Sequence, residues 1–75
     1  MEKYKNLAGN SRVVAYEIGR DHIKVKFRDD SVYLYNYVCP GRQALEEMKA
    51  LALRGQGLFT FIDSRVSNNY AARVK

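Results

Sequence analysis

A few residues have side chains that could do chemistry: His22, Cys39, the carboxylates Asp21, Asp29, Asp30 and Asp63, and the glycine pair Gly55 and Gly57. Nucleophilic catalysis needs an activated Ser or Cys beside a base, with a third group to orient that base. The single histidine follows Asp21 in a segment that reads as a turn, and no such triad can be assembled around it. Cys39 precedes Pro40 near an expected helix start, where the dipole would lower a thiol pKa, but its plainer reading is a small buried hydrophobe. Metal sites need several converging His, Cys or carboxylate ligands, and neither a CxxC nor an HxxxH spacing is present. Asp29-Asp30 is accounted for by a turn, and Gly55-Gln56-Gly57 lacks the Lys and Ser/Thr of a phosphate-binding loop, so it reads as a helix stop. The expectation is a non-enzyme with no catalytic residue, no metal and no cofactor.

One constellation stands above this background. Lys24, Lys26 and Arg28 alternate with Ile23, Val25 and Phe27, and Tyr33, Tyr35 and Tyr37 alternate a few residues later. Cations for phosphates beside rings for unpaired bases is the combination used by sheet-type binders of single strands. Whether the two sets share a face depends on hairpin register. A two-residue loop at Asp29-Asp30 pairs Phe27 with Val32 and Val25 with Leu34, leaving the tyrosines outside beside the lysines. A three-residue loop pairs Val25 with Tyr35 and Ile23 with Tyr37, turning the tyrosines into the core with their hydroxyls at its rim.

The elements that must position these residues follow from periodicity. The first ten residues, including Gly9 and Asn10, show no pattern and read as a flexible tail that is ordered only by docking. Apolar side chains on every second position at Val14, Tyr16 and Ile18, then at Ile23, Val25 and Phe27, predict strands over 13–19 and 22–28 with a turn at Gly19-Arg20-Asp21. β-branched and aromatic residues predict a third strand over 32–37. Pro40 suits a first helical turn, and Ala44, Leu45, Met48, Leu51 and Ala52 recur at helical steps, predicting a helix over 40–54 stopped by Gly55 and Gly57. Phe59, Ile62, Val66 and Tyr70 fit a second, short helix over about 58–68, although 58–62 also reads as a strand. The fold class is therefore α+β: a three-stranded antiparallel meander packed by one main helix and a short C-terminal helix.

Seventy-five residues with 47% hydrophobic content suffice for one small domain, here placed over 11–75, and no apolar run approaches the ~20 residues of a membrane span. No secretory signal is expected, and a single cysteine makes the cytoplasm the natural compartment. The net charge of +5 is unevenly spread: residues 1–28 carry +4, residues 29–47 carry −3 and residues 48–75 carry +4. If the fold gathers the two basic flanks, they form a patch that phosphates would feel; if it scatters them, they only solvate the surface.

Val14-Ala15-Tyr16-Glu17, the Ile23-x-Val25-x-Phe27 strand, Tyr33-Leu34-Tyr35, Val38, and Gly57 followed by Phe59 and Ile62 together resemble the KTSC domain. That module occurs at the C-terminus of some lysyl-tRNA synthetases and alone in small bacterial and phage proteins, and its central mark is a Tyr-x-Tyr. The resemblance spans about residues 11–70. The family carries glycine in the hairpin turn, where this chain has Asp30-Ser31, and Asn after an aromatic pair, where this chain has Thr60-Phe61. It implies no established activity, but attachment to a tRNA-charging enzyme points to RNA. The expected function is thus a non-catalytic accessory module binding RNA or single-stranded nucleic acid, with Lys24, Lys26 and Arg28 on phosphates and Tyr33 or Tyr35 stacking if exposed. The alternative is a protein-interaction module or homo-oligomer that uses an open strand edge.

Overall fold

The computed structural model describes all residues except 8, 10, 67 and 68. Five antiparallel strands form one sheet in sequence order: β1 (Glu2–Lys3), β2 (Val13–Ile18), β3 (His22–Phe27), β4 (Val32–Asn36) and β5 (Ala72–Arg73). The three central strands match the predicted meander. The two outer ones were not expected, so the three-stranded sheet is corrected to five. The segment read as a flexible tail supplies β1 and the buried Tyr4; its residues 8 and 10 lie outside the described ones.

Helix α1 (Arg42–Arg54) and the short α2 (Leu58–Phe61), which widens into a π-helical turn over Ile62–Val66, cover one face of the sheet. The apolar stripe Leu45, Met48 and Ala52 of α1, with Leu58, Ile62 and Val66, meets Val13, Tyr16, Ile23, Val25 and Tyr35 of the sheet. Pro40 lies in the loop before α1 and not in its first turn. Asn36 Oδ1 accepts hydrogen bonds from the Val38 and Cys39 N–H groups at 2.9 Å each, which ends β4 and holds that loop. Gly55 ends α1 in the left-handed conformation (φ 82°), and a Cβ there would come within 2.6 Å of Lys5 Cβ. The second helix predicted over 58–68 runs to Val66, with residues 67 and 68 outside the described ones. α2 has no side-chain cap of its own; its Leu58 N–H donates to the buried Tyr4 hydroxyl at 3.3 Å, tying the start of the chain to the second helix.

Two registers depart from expectation. β2 carries a bulge between Val13 and Ala15, so Val13 enters the core at 1% exposure, where the strict alternation had placed Val14. In the β3–β4 hairpin Val25 pairs with Tyr33 and Ile23 with Tyr35. The loop is Arg28-Asp29-Asp30, closed by Phe27 N–H to Ser31 O and Asp30 N–H to Phe27 O, both 2.9 Å. Neither anticipated pairing is adopted, but the parity is that of the three-residue loop and the tyrosines turn inward. Asp30 makes this possible by adopting φ 69°, a left-handed conformation that any Cβ-bearing residue resists. Asp30→Gly should therefore stabilise the domain by about 0.5–1 kcal/mol, since the exposed Lys26–Asp30 ion pair that it removes contributes little. Thermal unfolding checks this: Tm should rise by a few degrees, and a fall would contradict the turn geometry.

Candidate functional site

The sheet separates the predicted site residues. Lys24 and Lys26 project from the face away from the helices, with Lys24 Nζ 3.8 Å from Glu17 Oε2 and Lys26 Nζ 3.7 Å from Asp30 Oδ1. Tyr33 and Tyr35 lie on the opposite face. Tyr35 is 1% exposed and buried in the core, so it has no free ring face for a base to stack on; Tyr33 is half-buried. Arg28, in the turn, joins Tyr33 rather than the lysines.

Arg28 and Tyr33 meet in an open groove of about 670 Å³ on the helix side of the sheet, between the β3–β4 turn, the segment around Phe59 to Asp63, and Tyr70. Its rings form a chain of edge-to-face contacts. Phe59 meets Phe27 at 6.4 Å, Phe27 meets Tyr33 at 5.6 Å, and Tyr33 meets Tyr70 at 4.6 Å, with interplanar angles of 77°, 83° and 81°. Such pairs contribute about 0.5–1.5 kcal/mol each beyond burial, so the rings are held in fixed orientations while remaining half-exposed.

Cations from both basic flanks surround these rings. The pairing of β2 with β3 brings the Arg28 N–H to Arg12 O at 2.9 Å, and Arg12 Cζ lies 5.9 Å from the Phe59 ring centroid. From the other flank, β5 places Arg73 Cζ 5.5 Å from the centroid of Tyr33. Two carboxylates complete the lining. Asp29 is committed to the turn: its Oδ1 accepts from Ser31 N–H at 3.1 Å and Ser31 Oγ–H at 2.6 Å, and these bonds hold its pKa below the usual carboxylate range. Asp63 is exposed and has no ion pair among the described residues. The groove thus offers stacking surfaces, guanidinium donors and one carboxylate without an ion pair among the described residues.

The remaining candidates lie outside the groove. His22 packs its ring against Gly19 and lies 3.4 Å from Asp21 Oδ1. Cys39 is half-buried. No group of three potential metal ligands occurs among the described residues. Tyr37, the third residue of the tyrosine series, has its hydroxyl 3.0 Å from Glu46 Oε2 and 3.2 Å from Arg20 O, while Lys49 Nζ donates to Arg20 O at 2.9 Å. Hydrogen bonds from Lys49 and Tyr37 keep Glu46 below its ordinary pKa, and the cluster fastens the β2–β3 turn to α1.

Arg12, Phe27, Phe59, Tyr70 and Arg73 are not evident as site residues from the sequence, because the aromatics share the spacing of core positions and the arginines read as solvated charge. The sequence carries no signal for Arg12: counting back from the turn at residues 19–21 sets Val14 opposite Phe27 and Val13 opposite Arg28, and only the bulge between Val13 and Ala15 brings Val13 to Phe27 and Arg12 beside Arg28. Arg73, on a two-residue strand, has none either.

No protein-family model, curated protein or solved structure matches this chain. No helix among the described residues is long and apolar enough to cross a membrane.

Burial, reinforced by the neighbouring Tyr33 and Tyr70, pushes the Tyr35 hydroxyl from 10.0 up to about 12. The folded state therefore favours the neutral phenol. Its contribution is complete below pH 10.0 and is lost as the pH rises to about 12. The loss amounts to roughly 2–3 kcal/mol. Urea unfolding between about pH 9 and pH 11.5 should show this fall in the wild type and a shallower one in Tyr35→Phe; equal falls would contradict the placement of Tyr35.

Proposed function

We propose that this protein is a non-catalytic module that binds single-stranded nucleic acid, RNA in preference to DNA, through the aromatic groove. The observation that carries the reading is the chain of rings Phe59, Phe27, Tyr33 and Tyr70 flanked by Arg12, Arg28 and Arg73. Half-exposed rings accept the faces of unpaired bases regardless of sequence, and guanidinium groups beside them reach the phosphates. Lys24 and Lys26, on the far face, supply longer-range attraction and contact phosphates of a strand that passes the hairpin. The resemblance to the KTSC domain belongs to the same reading: it favours RNA, and its Tyr33-Leu34-Tyr35 mark divides between a groove ring and a core ring. The lone unpaired Cys39 goes with a cytoplasmic setting. The competing reading, a partner protein or second copy added at an open strand edge, has less to support it, because both edges are two-residue strands.

Anisotropy titration of a labelled single-stranded RNA pool tests the reading. Binding should weaken steeply with salt, and Arg12→Gln/Arg28→Gln should lower affinity at low salt about tenfold or more and flatten the slope of log K against log salt by about 1.4. Lys24→Gln/Lys26→Gln should cost less. No binding at low salt, or an unchanged arginine variant that circular dichroism shows to be folded, would overturn the proposal and favour a protein partner.

A further inference from the structure

We infer that the groove selects guanine among unpaired bases, with the Asp63 carboxylate reading its Watson–Crick edge. This rests on the single-strand reading above and adds a base preference to it. The starting observation is the groove's mixed character: a channel meant only for a phosphate backbone has no use for carboxylates, yet Asp29 and Asp63 both line this one beside Arg12 and Arg28. Asp29 is explained by the turn, where Ser31 occupies its Oδ1 and keeps it ionised. Asp63 accepts no such side-chain hydrogen bond among the described residues. It follows the buried Ile62, which also lines the groove and is 5% exposed, so its backbone is anchored in the core while its carboxylate stays in solvent without an ion pair among the described residues.

An ionised carboxylate only accepts hydrogen bonds. Of the four RNA bases, guanine alone places two donors side by side on its Watson–Crick edge, N1–H and N2–H₂, matched to the two oxygens of one carboxylate. Adenine and cytosine set a ring-nitrogen lone pair beside their amino group, and uracil sets carbonyl oxygens on both sides of its N–H; each would face a carboxylate oxygen with repulsion. A volume of about 670 Å³ lies within the roughly 300–1,000 Å³ typical of small-ligand sites and so has room for a stacked base with its phosphate turned towards Arg12 and Arg28.

The test uses labelled eight-nucleotide RNAs of uridine carrying one central guanine, adenine or inosine, or no substitution, titrated by anisotropy at low salt. A single guanine avoids quadruplex formation. The guanine oligomer should bind roughly five- to a hundredfold more tightly than the adenine and all-uridine ones, the range expected of one good bidentate contact. Inosine, which lacks the 2-amino group, should fall between. Asp63→Asn should abolish the preference, bringing the guanine oligomer to the affinity of the adenine one. Equal affinity for all four oligomers, or a guanine preference that survives Asp63→Asn, would overturn the inference and leave general single-strand binding standing. Failure of every oligomer to bind would overturn both.

Discussion

The turn between β3 and β4 governs what this molecule can present to a ligand. Asp30 takes up a left-handed conformation, and the Asp29 carboxylate holds Ser31 through its N–H and its hydroxyl, which together fix a loop of Arg28, Asp29 and Asp30. Because side chains alternate along a strand, a shift of one residue would exchange every side chain of β4 between the two faces. In the register adopted, Tyr35 seals the core, Tyr33 enters the groove, and Val32 and Leu34 lie across from Lys26 and Lys24 on the far face. A face combining lysines with tyrosines is thereby ruled out, and the cation that accompanies the rings is Arg28, carried by the turn itself.

The groove depends on that register but is assembled from distant parts of the chain. Arg12 arrives through β2, Phe59 and Asp63 through the segment from α2 into the wider turn, and Tyr70 and Arg73 through the approach to β5. Each arrival has its own support. The bulge in β2 turns Val13 into the core. The Tyr4 hydroxyl caps α2, and the Tyr4 ring meets Tyr16 edge-on at 6.5 Å. The β4–β5 pairing sets Arg73 opposite Tyr33. The basic flanks at the two ends of the sequence converge here in part, with Arg12 and Arg28 from one and Arg73 from the other, so charge that looks scattered along the chain is locally concentrated beside aromatic rings.

The central strands and main helix were legible because burial on one side imposes a period: Ile23, Val25 and Phe27 against Lys24, Lys26 and Arg28 allow no other reading, and Leu45, Met48 and Ala52 lie on one helical stripe. The edge strands were not legible, since two residues cannot display a period. Glu2–Lys3 is recruited by pairing with Tyr16 and Ala15, and Ala72–Arg73 by pairing with Leu34 and Tyr33. Register was hidden for a different reason: it turns on the backbone conformation of Asp30, which side-chain pattern does not encode. Of the candidate site, Arg28 and Tyr33 were identified and do meet. Lys24 and Lys26 were identified but face away, and Phe27, Phe59 and Tyr70 carry the same aromatic signature whether they fill a core or line a groove.

In the proposed function an unpaired strand is held on the helix side of the sheet by the aromatic groove. Backbone amide chemical-shift mapping of the ¹⁵N-labelled protein during titration with a short single-stranded RNA at low salt tests it directly. Shifts should concentrate at Arg12, Phe27, Arg28, Phe59, Asp63 and Tyr70. Shifts confined to Lys24, Lys26 and their neighbours on the far face, or no shifts at all, would contradict it.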